Sequence, residues 1–403
     1  MRILVVGNNV AGTNFAKALR DADQEADIRI FTEETRPYYP RPKLIDFVAG
    51  EIDESAMQFY PTEWYDKNLI TLVLDSKVDK IDRGAKKVQV NDEWIDYDKL
   101  VLANGSSAFV PPLKGLPKKR VFSLRTLDDA ILIREAAANA KSVVMIGGGL
   151  LGLEGARALA TGFPGLKITV LEYAEHLLMR QLDHEGAQIL QKWIEKLGTT
   201  VMTKAETEEI LGDDEVAGVK LKDGRAIECD MVVVSAGARP NLGLAKDAGL
   251  NVNRGIVVDP SLKTSDPDIY AIGDVAEFDG IVWGMIPPAL EEARIAAKKV
   301  GGLDTPDYAG TVPSNTLKVM GLDLTSIGKV RSEHETPDAG FEEIRAKTED
   351  GGIYKKFVIR DGKMIGAIIL GTKQGVPKIS KLIKDGAPIG ELRDKLSDPG
   401  FAP

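Results

Sequence analysis

Val143-Val144-Met145-Ile146-Gly147-Gly148-Gly149-Leu150-Leu151-Gly152 is the stretch that decides the fold. Its four leading apolar residues read as a buried strand. Gly147, Gly149 and Gly152 then stand at G-x-G-x-x-G spacing. The first glycine permits a tight turn, the second lets backbone approach a pyrophosphate, and the third allows close helix–strand packing. Helix formers follow to about Ala160. The helix N-terminus offers free amides and about half a positive charge to phosphate. Ile168-Thr169-Val170-Leu171 is the next strand, and Glu172 ends it 20 residues past Gly152. This is a dinucleotide-binding pattern, with Leu150 and Leu151 in the loop and Glu172 on the adenosine ribose hydroxyls. A 2′-phosphate would face the Glu172 charge at a cost of about 4 kcal/mol at 4 Å. No arginine follows in Tyr173-Ala174-Glu175, so NADH is expected over NADPH.

The same unit occurs earlier. Ile3-Leu4-Val5-Val6 runs into Gly7-Asn8-Asn9-Val10-Ala11-Gly12, a helix to about Arg20, Ile28-Arg29-Ile30-Phe31, and then Glu33. Asn9 replaces the second glycine; asparagine tolerates positive φ better than most residues. Glu33 stands 21 residues past Gly12. Two such units imply two dinucleotide sites and an α/β fold with two Rossmann-like domains.

Further strands end in turns. Lys99 to Ala103 leads to Asn104-Gly105, Asp230 to Ser235 leads to Ala236-Gly237, and Asp268 to Ile272 leads to Gly273-Asp274. Val110-Pro111-Pro112-Leu113 reads as an extended linker. A helix is expected after Pro287-Pro288, with proline at its start. From about Gly310 the texture becomes α+β. Lys355 to Arg360 and Met364 to Leu370 flank Asp361-Gly362-Lys363, a hairpin signal, and a last helix is expected near Ile379 to Ile383. The expected domains are 1–114 with 241–309, then 115–240, then a C-terminal α+β domain over 310–403.

Composition narrows the function. The 403 residues are 43% hydrophobic and 28% charged, with 40 glycines and a formal net charge of −9. That balance suits a globular protein and argues against nucleic acid as partner. Cys229 is the single cysteine, so no intrachain disulfide or thiolate metal cluster forms. His176, His184 and His334 lack metal-ligand spacing. Neither a signal peptide nor a membrane-length apolar run is read, and cytoplasm is the expected location.

Together these residues resemble the FAD-dependent pyridine nucleotide–disulfide oxidoreductase superfamily over nearly the whole chain. The resemblance rests on Gly7–Gly12, Ala103-Asn104-Gly105, Gly147–Gly152 and Ile269-Tyr270-Ala271-Ile272-Gly273-Asp274. Pro37-Tyr38-Tyr39-Pro40-Arg41-Pro42-Lys43-Leu44, Leu124-Arg125-Thr126, Leu317-Lys318-Val319-Met320-Gly321 and Tyr354-Lys355-Lys356-Phe357 resemble NADH:rubredoxin oxidoreductases and the flavin part of nitrite reductase large subunits. The resemblance implies FAD and NADH as cofactors. It puts Gly7, Asn9, Ala11, Gly12 and Glu33 at the FAD adenosine diphosphate, and Ala103, Asn104 and Gly105 beside it. It puts Arg41 and Pro42 beside the isoalloxazine, and Arg125 near the phosphates or ribityl. Gly273 and Asp274 fall at the ribityl, and Pro288 and Ala289 at the pyrimidine edge. On the NADH side it implies Gly147, Gly149, Leu150, Leu151, Gly152 and Glu172, with Glu154 on the nicotinamide path and Gly237 closing over the nucleotide.

The superfamily's catalytic cysteine pair is absent. Without it electrons cannot leave by thiol–disulfide exchange. The expected reaction is hydride transfer from nicotinamide C4 to flavin N5, then release from the flavin to a small redox protein such as rubredoxin. Lys373, Lys378, Lys381 and Lys384 are the candidate docking charges. The competing readings are an NADH oxidase that reduces dioxygen and a non-catalytic FAD-binding subunit of a larger redox complex.

Overall fold

A computed structural model describes residues 1–330 and 341–401; His334 lies outside them. The chain divides into two compact units, 1–47 with 52–108 and 238–311, and 48–51 with 109–237 and 312–403. The four longest helices among the described residues are α1 (Val10–Ala22), α2 (Leu150–Gly162), α3 (His184–Lys196) and α4 (Ile286–Val300).

The first unit is built on a five-stranded parallel sheet. Its spatial order is Ile70–Val73, Asp27–Phe31, Arg2–Val6, Lys99–Leu102, Ile269–Ala271. Counted in chain order that is 3-2-1-4-5, so the order reverses between Arg2–Val6 and Lys99–Leu102. Such a switch point opens a crevice at the carboxyl ends of the strands, where dinucleotides bind. Ile3, Leu4, Val5, Ile28, Ile30, Leu100 and Val101 are buried in a core that also takes Val78, Val88 and Val90 from a three-stranded antiparallel sheet, Val78–Asp82, Lys87–Val90 and Glu93–Asp96. Phe15 and Leu19 on α1 and Ala293 and Ala296 on α4 belong to this core. α4 begins with Pro287 and Pro288 in its first turn, where a missing amide costs nothing.

The second unit repeats the plan. Its parallel sheet runs Thr200–Met202, Lys167–Leu171, Ser142–Ile146, Met231–Val234, Val121–Ser123. Order reverses between Ser142–Ile146 and Met231–Val234. The same unit holds a five-stranded antiparallel sheet ordered Ser314–Val319, Leu322–Gly328, Lys363–Leu370, Tyr354–Arg360, Phe341–Lys347. Helix Val376–Asp385 packs on it through Ile379. The hairpin turn is two residues, not three. Asp361 (φ 51°) and Gly362 (φ 71°) take the positive φ values of a type I′ turn, and Lys363 already pairs with Arg360. The expected C-terminal α+β texture is therefore present, in one compact unit with residues 109–237. Among the described residues no helix is long and apolar enough to cross a membrane.

Candidate functional site

Two glycine cradles form at the two switch points, each built by the same close approach. Gly7 has φ +111°, and a Cβ there would lie 2.2 Å from Ala103 O. Gly147 has φ +119°, and a Cβ there would lie 2.3 Å from Ser235 O. Ala103 and Ser235 each follow the strand across the switch point, so only glycine lets the turn pass under its neighbour. Gly12 and Gly152 would place a Cβ 2.0 Å and 2.1 Å from Gly7 O and Gly147 O. Those contacts make helix and strand pack tightly.

The cradles differ at their middle glycine. Gly149 is the N-cap of α2 and gives it no side-chain cap. A Cβ on Gly149 would meet nothing within 4 Å. That position faces open space, as an approaching phosphate requires. Asn9 is instead a working cap. Its backbone is extended (φ −123°), so its tolerance of positive φ is not used. Its Oδ1 accepts the Ala11 amide at 3.0 Å and the Gly12 amide at 3.3 Å, while its Nδ2 donates to Ala103 O at 2.5 Å. Asn9 thus satisfies two orphan amides of α1 and ties the turn to the next strand.

Glu172 accepts amides with both oxygens, from Gly148 at 2.6 Å and from Ala174 at 2.7 Å. The equivalent position after Phe31 is Thr32, since Gly7 bonds Phe31 O as Gly147 bonds Leu171 O. Glu33 falls one residue beyond it and is exposed. The acid drawn inward is Glu34, which sequence reading passed over. Its Oε1 takes the Arg41 Nη2 at 2.6 Å, and its other oxygen accepts the Tyr39 hydroxyl. Arg41 and Pro42 lead into helix Lys43–Ala49, so Glu34 fixes Arg41 beside the end of strand Asp27–Phe31.

Of the other expected FAD-side residues, Gly273 and Ala289 pack against the first cradle, and Arg125 does not share its unit. A Cβ on Gly273 (φ +75°) would meet Ala11 Cβ at 2.8 Å and Ala289 Cβ at 3.8 Å. Gly273 is therefore wedged between the first turns of α1 and α4, with Pro288 and Ala289 in the latter. Ser106 Oγ donates to Asp274 Oδ2 at 2.7 Å. Asn104 and Asn241 exchange side-chain amides with each other's carbonyls, both at 2.8 Å, fixing the turn through Gly105. Nothing in the sequence pattern marks Asn241. Arg125 lies in the second unit, just before the capping box of Thr126 and Asp129. Glu154 sits on the first turns of α2 with Arg157 Nε 3.7 Å away, and Gly237 takes φ +109°.

Cys229 is buried, and burial pushes its thiol up to about 11. It behaves as a small apolar residue. Among the described residues no group of His, Cys, Asp or Glu is arranged to hold a metal ion. The donor sets fit two anionic dinucleotides: amide-rich helix starts, glycines a side chain would block, and acids at strand ends. Of the four candidate docking lysines, Lys373 is paired with Asp323 at 3.4 Å. Lys378, Lys381 and Lys384 are exposed along one helix.

Two switch-point cradles in one chain define a class of oxidoreductase that handles two dinucleotides. Residues 1–299 match the pyridine nucleotide-disulphide oxidoreductase family, and the chain belongs to it; members of that family are FAD-dependent oxidoreductases. Residues 313–387 match the rubredoxin NAD+ reductase C-terminal domain. The chain is 37% identical to a nitrite reductase [NAD(P)H] of Bacillus subtilis over 97% of its own length and 48% of the relative's. It thus spans about half the length of that relative. It is 35% identical to a rubredoxin-NAD(+) reductase of Pseudomonas putida, covering 82% of this chain and 87% of that one. The solved NADH:rubredoxin oxidoreductase of Clostridium acetobutylicum superposes with a TM-score of 0.80 at 30% identity, covering 97% of both chains.

Proposed function

We propose that this chain takes hydride from NADH onto FAD and passes the electrons, without redox cysteines, to an electron-carrier protein such as rubredoxin. One observation carries the reading: one chain combines a three-glycine cradle, a second cradle with Asn9 in the middle place, and a C-terminal sheet of the rubredoxin reductase type, and its one cysteine is buried. FAD, when bound, supplies acceptance of a hydride and release of single electrons. The chain's residues supply binding and electrostatics. In this reading Gly7, Asn9, Ala11 and Gly12 seat the FAD diphosphate, and Asp274, oriented by Ser106, binds the ribityl chain. Arg41, held by Glu34, carries positive charge to the flavin. Gly149, Leu150 and Leu151 offer amides to the NADH diphosphate, and Glu172 holds its ribose and disfavours a 2′-phosphate. Exposed Lys378, Lys381 and Lys384 steer an acidic carrier.

The test is an anaerobic NADH titration of the purified protein, followed by reoxidation with rubredoxin, with ferredoxin and with dioxygen. Bleaching of the visible flavin absorption by one equivalent and fast reoxidation by rubredoxin are expected. Oxygen turnover without stimulation by the carrier would make it an NADH oxidase. The match to half of a nitrite reductase favours one further reading, an electron-input portion of a larger redox assembly. Bound flavin that NADH fails to bleach would support a non-catalytic subunit.

A further inference from the structure

Glu292 is a carboxyl group that the proposed reaction does not use. It lies on α4, is 2% exposed, and its Oε2 accepts the Gly273 amide at 2.7 Å. Gly273 in turn rests against Ala11, in the first turn of α1 where the first cradle receives phosphate. Gly273 thus touches both the acid and that cradle. The group also has a route outward. The Tyr308 hydroxyl offers Glu292 a hydrogen bond. That hydroxyl is 2.8 Å from Thr311 Oγ1, which donates to Glu291 Oε2 at 2.8 Å. Tyr308 is buried and Glu291 is half-buried, so the chain of hydroxyls runs from interior to surface.

The surroundings supply little countercharge. Asp274 and Glu291 both disfavour a second negative charge, while the Gly273 amide and Tyr308 favour it. On α1, Lys17 and Asp21 line an outer groove with Arg294 and Lys298 of α4. Arg20 is taken up by the carbonyls of Asn68 and Leu69. Burial, the largest influence, pushes the Glu292 carboxyl up to about 8. An anionic diphosphate on α1 raises the cost of ionising it further.

We propose that Glu292 is a proton-binding site linked to the dinucleotide: in alkaline solution, where the acid is ionised in the flavin-free protein, it takes up one proton from solvent as the FAD diphosphate settles on α1 and returns it through Tyr308, Thr311 and Glu291 as FAD leaves. No bond other than the O–H forms or breaks. The inference rests on FAD occupying the Gly7–Gly12 cradle.

The test follows FAD release from the holoenzyme by flavin fluorescence between about pH 6 and 10, with protons counted by an indicator dye in weak buffer. The wild type is expected to hold FAD with constant affinity up to near pH 8. Above that, affinity falls about tenfold per pH unit and each FAD released gives up close to one proton. Glu292→Gln keeps an acceptor for the Gly273 amide and is expected to flatten the profile and release no proton. Tyr308→Phe removes a bond that favours the ionised acid and is expected to move the fall to higher pH, which keeps the test decisive if the first variant folds poorly. A wild-type profile without the fall, or the same fall in Glu292→Gln, overturns the inference and leaves the functional reading standing. A preparation that never retains flavin overturns the functional reading itself.

Discussion

The Glu172 carboxylate accepts the Gly148 amide at 2.6 Å, and a Cβ on Gly148 would sit 2.9 Å from that same oxygen. The acid is locked into the glycine turn and cannot swing away from a 2′-phosphate. Glu172→Ala is therefore expected to shift preference toward NADPH by at least about tenfold. Steady-state kcat/KM with both nucleotides reads this out. An unchanged ratio would mean that another group sets the preference.

Gly147 and Gly149 separate folding from binding. Gly147→Ala places a methyl against Ser235 O at positive φ and is expected to cost several kcal/mol, on the order of 3. Gly149→Ala meets no atom of the chain within 4 Å. Its melting temperature is expected to stay within a degree or two of wild type, about the change expected of a surface substitution, while NADH binding weakens at least about tenfold. Thermal melts and NADH titrations on both variants decide the matter.

Cys229→Ala is expected to leave NADH-dependent acceptor reduction unchanged. The thiol is buried and held protonated, with burial pushing it up to about 11. Thiol-modifying reagents are likewise expected to leave the native enzyme active. Loss of acceptor reduction with flavin bleaching intact would point to a thiol step.

Asp183, Tyr354 and Lys356 form a buried polar knot in the second unit. Asp183 caps α3 by accepting the Gly186 amide at 3.1 Å. It also accepts the Tyr354 hydroxyl at 2.7 Å and lies 3.4 Å from Lys356 Nζ. Lys356, almost fully buried, reaches Glu343 as well at 3.2 Å. Burial works against ionisation of Asp183, but the Tyr354 hydroxyl, the Gly186 amide and Lys356 together hold it below the usual carboxylate range. Its contribution to stability is thus fully present above about pH 4 and is lost as pH falls through the lowered value. Lys356→Met removes the buried countercharge and leaves Asp183 with the more exposed Arg345 at 3.6 Å; it is expected to cost about 3 kcal/mol at neutral pH, and to flatten the acid limb. Urea unfolding at pH 7 and melts toward acid pH measure both.

Much of this architecture was legible because glycine spacing encodes backbone geometry directly. The strand–turn–helix repeat at Gly7 and Gly147, the hairpin around Asp361-Gly362 (one residue tighter than its sequence suggests) and the proline start of α4 are local features, visible in short windows. The side-chain partners were not. Asn9 reads as a flawed glycine until its cap geometry is known. Glu33 and Glu34 are adjacent acids, and only the contacts with Tyr39 and Arg41 show which is drawn inward. Glu292 sits in Leu290-Glu291-Glu292-Ala293, which reads as a solvated helix face; its burial depends on Gly273, 19 residues away. Asp183 and Tyr354 are 171 residues apart, beyond any motif.

The polar knot also limits what can be done to this chain by cutting or grafting. Its cations come from the antiparallel sheet, and Asp183 comes from the start of α3. A version truncated before Tyr354 would keep every glycine of the NADH cradle yet strip Asp183 of its hydroxyl donor and its buried cation, with only the more exposed Arg345 left against it. Transplanting the terminal sheet onto another reductase would succeed only if the recipient offered an acid where Asp183 stands.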